Sequence, residues 1–137
     1  MTVLWCVAGV LGLVASLEDL RRSTIPNWLT AAGTLAGIVC GVSMGWRGLA
    51  VALGGALLGF ALMLPLHLWG TLGGGDVKLM AAFGALLGPA GILAAAVFSA
   101  IAGALWACVG FLRGVRAIPY APAISIGVWV SLWGGGH

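Results

Sequence analysis

The sequence carries only three acidic side chains in 137 residues, and these are the first candidates for chemistry: Glu18, Asp19 and Asp76. Asp76 closes the run Gly73–Asp76, and a lysine follows it two positions later. An ionisable group is costly at membrane depth, so an acid in such an apolar chain marks a candidate functional site. The structural alternative is that Asp76 caps the helix after it, because Asp is a favoured N-cap residue.

A pair formed by Asp19 and Asp76 can supply both a base and an acid. Two carboxyl groups that meet in a low-dielectric setting cannot easily both ionise, so they share one proton. The carboxylate can activate a water for attack on a peptide carbonyl, and its protonated partner can hydrogen-bond the carbonyl oxygen. This chemistry needs no metal and no cofactor. Glu18 lies about 100° from Asp19 around a helix and is expected to be exposed, and the lone His67 is interpreted as an interfacial or packing residue.

The composition places these acids in a membrane protein. The chain is 62% hydrophobic and 7% charged, whereas about 25% of the residues in soluble chains are charged. We expect a single domain over 1–137. No basic run with interleaved aromatics is present, so nucleic-acid binding is not expected. Cys6, Cys40 and Cys108 stand singly in apolar segments, which argues against a zinc site or disulfides and predicts small core residues.

Apolar segments separated by short polar or glycine-rich stretches predict an all-α bundle of six transmembrane helices. The expected segments are about 2–17, 27–44, 49–69, 77–87, 92–112 and 119–133, with loops at 18–26, 45–48, 70–76, 88–91 and 113–118. The first segment lacks a basic n-region and is expected to be a retained helix rather than a signal peptide. Pro26 falls in the first turn of the second helix, where proline is tolerated.

Glycines at a four-residue spacing indicate where helices approach closely. Lipid provides no hydrophobic force between helices, so small residues at this spacing allow tight backbone packing. The alternative is that they merely reflect a glycine-rich composition. The sequence predicts one such face in the second segment and one in the third, at Gly33, Gly37, Gly41 and Gly45 and at Gly55 and Gly59.

Five of the six Lys and Arg residues fall on one side of this arrangement, in or beside the loops 18–26, 70–76 and 113–118. The positive-inside rule makes that side cytoplasmic and directs both termini outward. Most tryptophans fall near the expected helix ends, as in interfacial aromatic belts. Asp19 and Asp76 then both lie at cytoplasmic helix ends, where they can converge.

At these residues the sequence resembles a known family. Gly73-x-Gly75-Asp76 matches the GxGD signature of intramembrane aspartyl proteases. Asp19 followed by Ile-Pro-Asn at 25–27, together with Asp76-x-Lys78-Leu at 76–79, is similar to the type IV prepilin peptidases. The short form associated with Flp, or tight-adherence, pili is the most similar. The stretch 119–123 (PYAPA) resembles that family too, and the likeness covers nearly the whole chain.

The resemblance implies a bacterial plasma-membrane endopeptidase. Such enzymes remove the short basic leader of prepilins or pseudopilins at the cytoplasmic face, which implies pilus-assembly or secretion machinery as further partners. By motif position, Asp19 and Asp76 would be the catalytic pair. Longer members of the family carry a Cys-rich zinc domain and also N-methylate the new terminus. This sequence supplies no such cysteine tetrad, so we predict peptidase activity without methyltransferase activity.

Five residues near the pair are candidates for supporting roles. Gly73 and Gly75 leave room for an approaching substrate backbone. Lys78 either tunes the site or extends its charge to the interface. Pro26 and Asn27 follow Asp19 in the motif. Asn27 either orients a substrate backbone or satisfies free N–H groups at a helix start, and helix capping is the preferred interpretation.

Other functions stay open at this point. A GxGD protease acting on another membrane-bound substrate would share the same residues. A small proton or ion transporter using the same pair would show aspartate-dependent flux without proteolysis, although transporter sites usually lie near the midplane rather than at one face. A non-catalytic assembly factor for a pilus would tolerate Asp19→Asn and Asp76→Asn.

Overall fold

Helices account for nearly all of the chain that the structure describes. The computed structural model describes residues 2–22, 25–70, 74–114 and 121–134. These ranges contain no strand, which confirms the predicted all-α fold. Their five helices are α1 (Thr2–Arg22), α2 (Asn27–Ser43), α3 (Trp46–Leu68), α4 (Gly74–Leu112) and α5 (Ala121–Gly134).

The longest helix, α4, is divided into two rods at Gly88. A straight helix of its 39 residues would extend about 58 Å, roughly twice the thickness of a bilayer core. Gly88 instead has φ 76° and ψ 176°, outside the helical region. Gly59 of α3 lies against both Met80, before the break, and Ile92, after it, so the chain reverses its direction there. The predicted break is confirmed, and the described residues form six rods; six membrane crossings stay a prediction.

The surface of the bundle is apolar. By length and composition, α1, α3 and α4 can each cross a membrane, and fewer than a third of the residues in their apolar stretches are buried inside the protein. Large side chains such as Leu57, Phe111 and Trp133 are at least 70% exposed. A soluble protein rarely exposes apolar patches of this extent. The fold therefore suits a membrane protein.

The core surrounds the first rod of α4, which begins with the candidate residue Asp76. Three buried side chains of this rod pack with others from the second rod and from α5, and the set comprises Leu79, Met80, Phe83, Ile92, Ile124 and Val128. The other four helices all contact α4, α3 most extensively. The rod that carries Asp76 is thus the best-supported element of the molecule.

Both predicted glycine faces are confirmed, except at Gly45. The five other glycines are buried, namely Gly33, Gly37, Gly41, Gly55 and Gly59. A Cβ added at Gly37 would lie 2.7 Å from the Cβ of Ala85 in α4, and one added at Gly55 would collide with the carbonyl oxygen of Gly84. Gly45 is exposed, with φ 88° and no atom near its missing Cβ. It serves the turn between α2 and α3, where a left-handed conformation favours glycine.

Three helices extend into stretches that the sequence predicts to be loops. α1 continues from residue 17 to Arg22, α3 begins at Trp46 rather than at residue 49, and α4 begins at Gly74 rather than at residue 77. Charge disfavours lipid but does not disfavour helix, and the basic side chains of Arg21 and Arg22 suit the negative end of the helix dipole. Both candidate aspartates are consequently held by helical backbone.

The prediction that the cysteines are core residues is wrong for two of them. Cys6 and Cys108 are exposed and Cys40 is half-buried. Small apolar side chains are tolerated on the outside of this bundle because lipid, rather than water, suits such a surface.

Candidate active site

Asp19 is buried because it continues the inward face of α1. Ala8, Leu11 and Ala15 are buried at helical spacing, and Asp19 follows Ala15 by one turn. Its exposed fraction is 7%. A carboxyl group in this position is screened from solvent by the bundle, although it lies only three residues before the end of its helix.

Glu18 occupies a different environment from its neighbour. Its side chain is 29% exposed, so Glu18 is half-buried rather than exposed as expected. The Nε of Arg22 lies 3.8 Å from its Oε2, one turn further along α1. This ion pair holds the carboxylate of Glu18 against the last turn of α1, whereas Asp19 is buried.

Asp76 lies inside the first turn of α4, as the third residue of the helix. Its Oδ1 atom is buried. The N-terminal end of the helix dipole stabilises a negative charge in this turn. Asp76 is therefore past the N-cap position that the capping alternative requires, and its carboxyl group points into the protein.

The ends of four helices meet beside the start of α4. A Cβ added at Gly75 would lie 3.1 Å from the Cβ of Ile25, which follows α1, and one added at Gly74 would lie 3.6 Å from Cε1 of His67 in the last turn of α3. α1 and α4 are also in direct contact. Two helices thus present one acid each at the same end of the bundle, an arrangement that acid–base chemistry can use.

Lys78 and Asn27 join the starts of α4 and α2. The Nζ of Lys78 donates a hydrogen bond of 3.0 Å to Oδ1 of Asn27, and both residues are exposed. Lys78 follows Asp76 by two residues, about 200° around the helix, and so faces away from it. The capping interpretation of Asn27 is wrong, because α2 has its N-cap at Pro26 and no side-chain capping bond.

Of the remaining motif residues, Pro26 lies at the start of α2. Pro26 is extended, with φ −62° and ψ 136°, and its carbonyl oxygen accepts hydrogen bonds from the first turn of α2. It therefore precedes the helix instead of lying in its first turn. Gly73, Pro119 and Tyr120 lie outside the described residues.

One further hydrolase-like pattern occurs in the chain, at 41–45 (GVSMG), which formally matches GxSxG. In hydrolases that use this pattern the serine sits on a sharp turn between a strand and a helix. Here Ser43 is the last residue of α2, and its hydroxyl donates to the carbonyl oxygen of Cys40 at 2.7 Å. The pattern is therefore a helix end in this fold and not a nucleophile elbow.

Two serines near Asp19 were not predicted as site residues from the sequence. Ser16 lies one turn before Asp19, and its hydroxyl meets that of Ser125 from α5. Isolated serines in apolar segments form no recognisable sequence pattern, and the two serines that hydrogen-bond here are 109 residues apart. The only hint in the sequence is the three-residue spacing from Ser16 to Asp19.

Comparison with known proteins gives a consistent set of relatives. A model of the type IV leader peptidase family matches residues 6–108. A Bacillus subtilis (strain 168) protein named prepilin leader peptidase/N-methyltransferase is 31% identical over 123 residues, which are 84% of this chain and 49% of that protein. A protein of the same name from Xanthomonas campestris pv. campestris is 32% identical over 128 residues, 85% of this chain and 45% of that protein.

A third relative with this name, from Pectobacterium carotovorum subsp. carotovorum, is 31% identical over 134 residues, which are 89% of this chain and 46% of that protein. The chain spans about half the length of the curated relatives it matches. No solved structure gives a significant match.

Proposed function

Because the chain belongs to the type IV leader peptidase family, we propose that it is a membrane-embedded endopeptidase that removes leader peptides from type IV prepilins or pseudopilins. The resemblance of its motifs to the short Flp-associated form makes a Flp-type prepilin the proposed substrate. The observation that carries the proposal is the burial of Asp19 in an apolar helical bundle, at the end where the first turn of α4 carries Asp76.

The proposed reaction is a hydrolysis in which Asp19 and Asp76 share one proton before the substrate arrives. The carboxylate takes a proton from a water molecule whose oxygen attacks the scissile carbonyl carbon, and the protonated carboxyl group hydrogen-bonds the carbonyl oxygen. When the tetrahedral species collapses, the C–N bond breaks and a proton passes to the leaving amine. The leader acquires a carboxylate, the new pilin terminus carries both protons of the water as an ammonium group, and the pair regains its single shared proton.

The proposed location of this site is the cytoplasmic face of the bacterial plasma membrane. Trp28 and Trp69 are exposed beside the start of α2 and the end of α3, where aromatic side chains suit a membrane interface. Arg21, Arg22 and Lys78 lie at the same end, and basic residues favour the cytoplasmic side. A leader ahead of an apolar pilin helix would meet the site where that helix leaves the bilayer.

We expect these 137 residues to cleave without methylating. The three cysteines lie at positions 6, 40 and 108, and their wide spacing offers no Cys-rich zinc cluster of the kind that structural zinc sites use. The intact mass of the pilin product, measured after cleavage by the purified protein in the presence of S-adenosylmethionine, should correspond to an unmodified amine. A product heavier by one methyl group would contradict this part of the proposal.

Co-expression with a Flp-type prepilin tests the central claim. Leader removal is followed on a gel for the natural chain and for Asp19→Asn and Asp76→Asn, with membrane levels matched by immunoblotting. Each substitution should reduce cleavage by about 10²-fold or more, since each removes an acid–base group. Glu18→Gln is the matched control, because it neutralises the adjacent acid, which pairs with Arg22 on the same helix, and it should cleave normally.

The other candidate functions give different outcomes. Cleavage that persists in either aspartate variant would refute the catalytic pair. Proton or ion flux that depends on both aspartates, without proteolysis, would favour a transporter. Normal pilus assembly with both substitutions would favour an assembly factor.

A further inference from the structure

α1, the helix that carries Asp19, is held chiefly by α5. Its contact with α5 is much more extensive than its contacts with α2 or α4. The two candidate aspartates are thus carried by helices that touch each other only slightly. The position of Asp19 relative to Asp76 must therefore depend on the elements that connect α1 to α4.

A triangle of three oxygen atoms fixes α1 against α5. The hydroxyl oxygen of Ser125 lies 3.0 Å from the carbonyl oxygen of Gly12 and 3.0 Å from the hydroxyl oxygen of Ser16, which itself lies 2.7 Å from the same carbonyl. Each hydroxyl has one proton, so one donates to the carbonyl while the other can donate to its neighbour. Ser125 is completely buried, and in this apolar bundle no water competes for these bonds.

The backbone of α1 approaches α5 closely at this triangle because residue 12 is a glycine. A Cβ added at Gly12 would lie 3.2 Å from Cβ and Oγ of Ser125 and 3.2 Å from Nε1 of Trp129. These distances are tighter than ordinary van der Waals contact. The triangle consequently sets both the distance between α1 and α5 and the height of α1 along α5.

Asp19 lies on the same side of α1 as this triangle. It follows Ser16 by three residues and Gly12 by seven, which is two turns or about 10 Å along the axis. A rigid helix transmits a shift at Gly12 to Asp19 almost unchanged. A rotation of α1 about its own axis would move the carboxyl group out of the inward face that Ala15 also occupies.

α5 is in turn fixed to the helix that carries Asp76. The hydroxyl of Ser99 in α4 donates to the carbonyl oxygen of Ile124, the residue before Ser125, at 3.3 Å. Gly127 of α5 lies against Ser99 so closely that a Cβ added there would collide with it. α5 thus connects α1 to the second rod of α4.

The geometry points to Ser125 as a positioning residue that sets the place of Asp19 opposite Asp76 through Gly12 and Ser16. Ser125 acts in the proposed peptidase reaction, on which this assignment depends, without touching the substrate. Its function is to hold α1, which α4 alone does not hold, so that the carboxyl group of Asp19 is presented to Asp76.

Steady-state kinetics of Ser125→Ala in the full chain, reconstituted in nanodiscs with a Flp-type prepilin, tests the assignment. The kcat should fall about tenfold, because a displacement well under 1 Å already lowers the rate of an oriented reaction, while KM stays within about twofold. Ser131→Ala is the matched control: it removes the hydroxyl–carbonyl bond of the same helix to Gly91, at the end of the bundle opposite to Asp19, and this bond does not reach α1. Its kcat should stay within about twofold of the natural chain.

Two further measurements keep the assignment testable if Ser125→Ala accumulates poorly or if the chosen prepilin is not cleaved. Gly12→Ala, whose added methyl group crowds Ser125 and Trp129, should lower kcat in the same way. Nitroxide labels on Arg21→Cys and Trp69→Cys, in a background with the three natural cysteines replaced by serine, report the position of the α1 end by pulsed electron resonance. Their distance distribution should shift or broaden in Ser125→Ala and not in Ser131→Ala.

An unchanged kcat together with an unchanged label distance in Ser125→Ala would overturn the assignment. Equal losses in Ser125→Ala and Ser131→Ala would overturn it too, because they would report general loosening of α5. Failure of the natural chain to cleave would instead count against the proposed function, and the label distances would still decide the role of Ser125 in placing α1.

Discussion

The hydrogen bond between Lys78 and Asn27 restrains the turn that bears Asp76 by joining it to the start of α2. Lys78 faces about 200° away from Asp76 around α4, and its ammonium group reaches the first residue of α2. The start of α4 is therefore fixed on one side by Lys78 and on another by the contact of Gly75 with Ile25. A charged donor makes the bond stronger than one between neutral groups, although its exposure weakens it.

A double-mutant cycle measures this restraint. Asn27→Ala and Lys78→Met should each lower the free energy of unfolding, and the two changes together should show a coupling of about 0.5–1.5 kcal/mol. Unfolding by denaturant in detergent micelles supplies the free energies. Arg47→Met, an exposed cation at the start of α3, combined with Asn27→Ala, is the control and should be additive. Additivity between Asn27 and Lys78 would show that the bond contributes nothing to stability.

At the scale of single residues, the sequence predicts which side chains face the core better than it predicts which side chains bond to each other. Asp19 follows the helical spacing of Ala8, Leu11 and Ala15, so its burial could be derived from periodicity once the helix was known to extend that far. The bond of Asn27 with Lys78 joins exposed residues 51 positions apart. Its formation depends on how α2 and α4 start side by side, which local spacing does not encode.

At the scale of helices, the closest approach is that of α3 to the first rod of α4. Gly55 and Gly84 face each other so closely that a Cβ on either would collide with the carbonyl oxygen of the other. This approach places two rods in contact along their backbones, where dispersion forces replace the hydrophobic effect that lipid cannot provide. The rod that carries Asp76 therefore depends on a residue with no side chain.

Gly55→Ala and Gly54→Ala separate packing from helix propensity. Gly55→Ala should destabilise the protein by about 2 kcal/mol or more, because the backbone of Gly84 cannot yield to the added methyl group. Gly54→Ala places its methyl 3.5 Å from Cγ of Pro89, an ordinary contact, and should be neutral or stabilise by about 0.5–1 kcal/mol through better helix propensity. Thermal unfolding in detergent distinguishes them, and similar melting temperatures for the two variants would contradict the packing argument.

The sequence predicts these elements unevenly, for physical reasons. Four-residue glycine spacing identified the faces of α2 and α3, and Gly88 with its following proline identified the break in α4. It did not predict that helix continues through residues 18–22, because polarity reports where a chain leaves lipid and not where its hydrogen bonding ends. Nor did it predict the contact of Ser125 with Gly12, since serine and glycine alone do not specify a partner.

At the scale of the whole molecule, the helix ends lie at two opposite faces of the bundle. Residues just after α1 lie against the start of α4, and the end of α3 lies there too. At the opposite end, Leu4, Leu87 and Leu132 line a cavity of about 550 Å³ between α1, α4 and α5. The rods alternate between these two faces, while their crossing of a membrane and the assignment of the faces to cytoplasm and exterior are part of the proposed function.

Cysteine accessibility tests that assignment. In a background with Cys6, Cys40 and Cys108 replaced by serine, Arg21→Cys and Arg47→Cys place single exposed thiols at opposite ends of the bundle. In intact spheroplasts a membrane-impermeant maleimide should label Arg47→Cys and spare Arg21→Cys until the membrane is opened, as the positive-inside rule requires. Labelling of Arg21→Cys alone in intact spheroplasts would reverse the proposed orientation, and labelling of both would refute the alternation.

The reversal at Gly88 also limits the depth of the first rod of α4. From Gly74 to Leu87 this rod has a length of about 21 Å, roughly 9 Å less than a typical hydrocarbon core. A bilayer of ordinary thickness must therefore become thinner beside this rod, or one end of the rod must lie below the membrane surface. Asp76 lies at one of these two ends. Because of this hydrophobic mismatch, the length of the lipid acyl chains affects how easily water reaches the carboxyl group of Asp76. Short acyl chains bring the aqueous boundary towards Asp76, and long ones move it away.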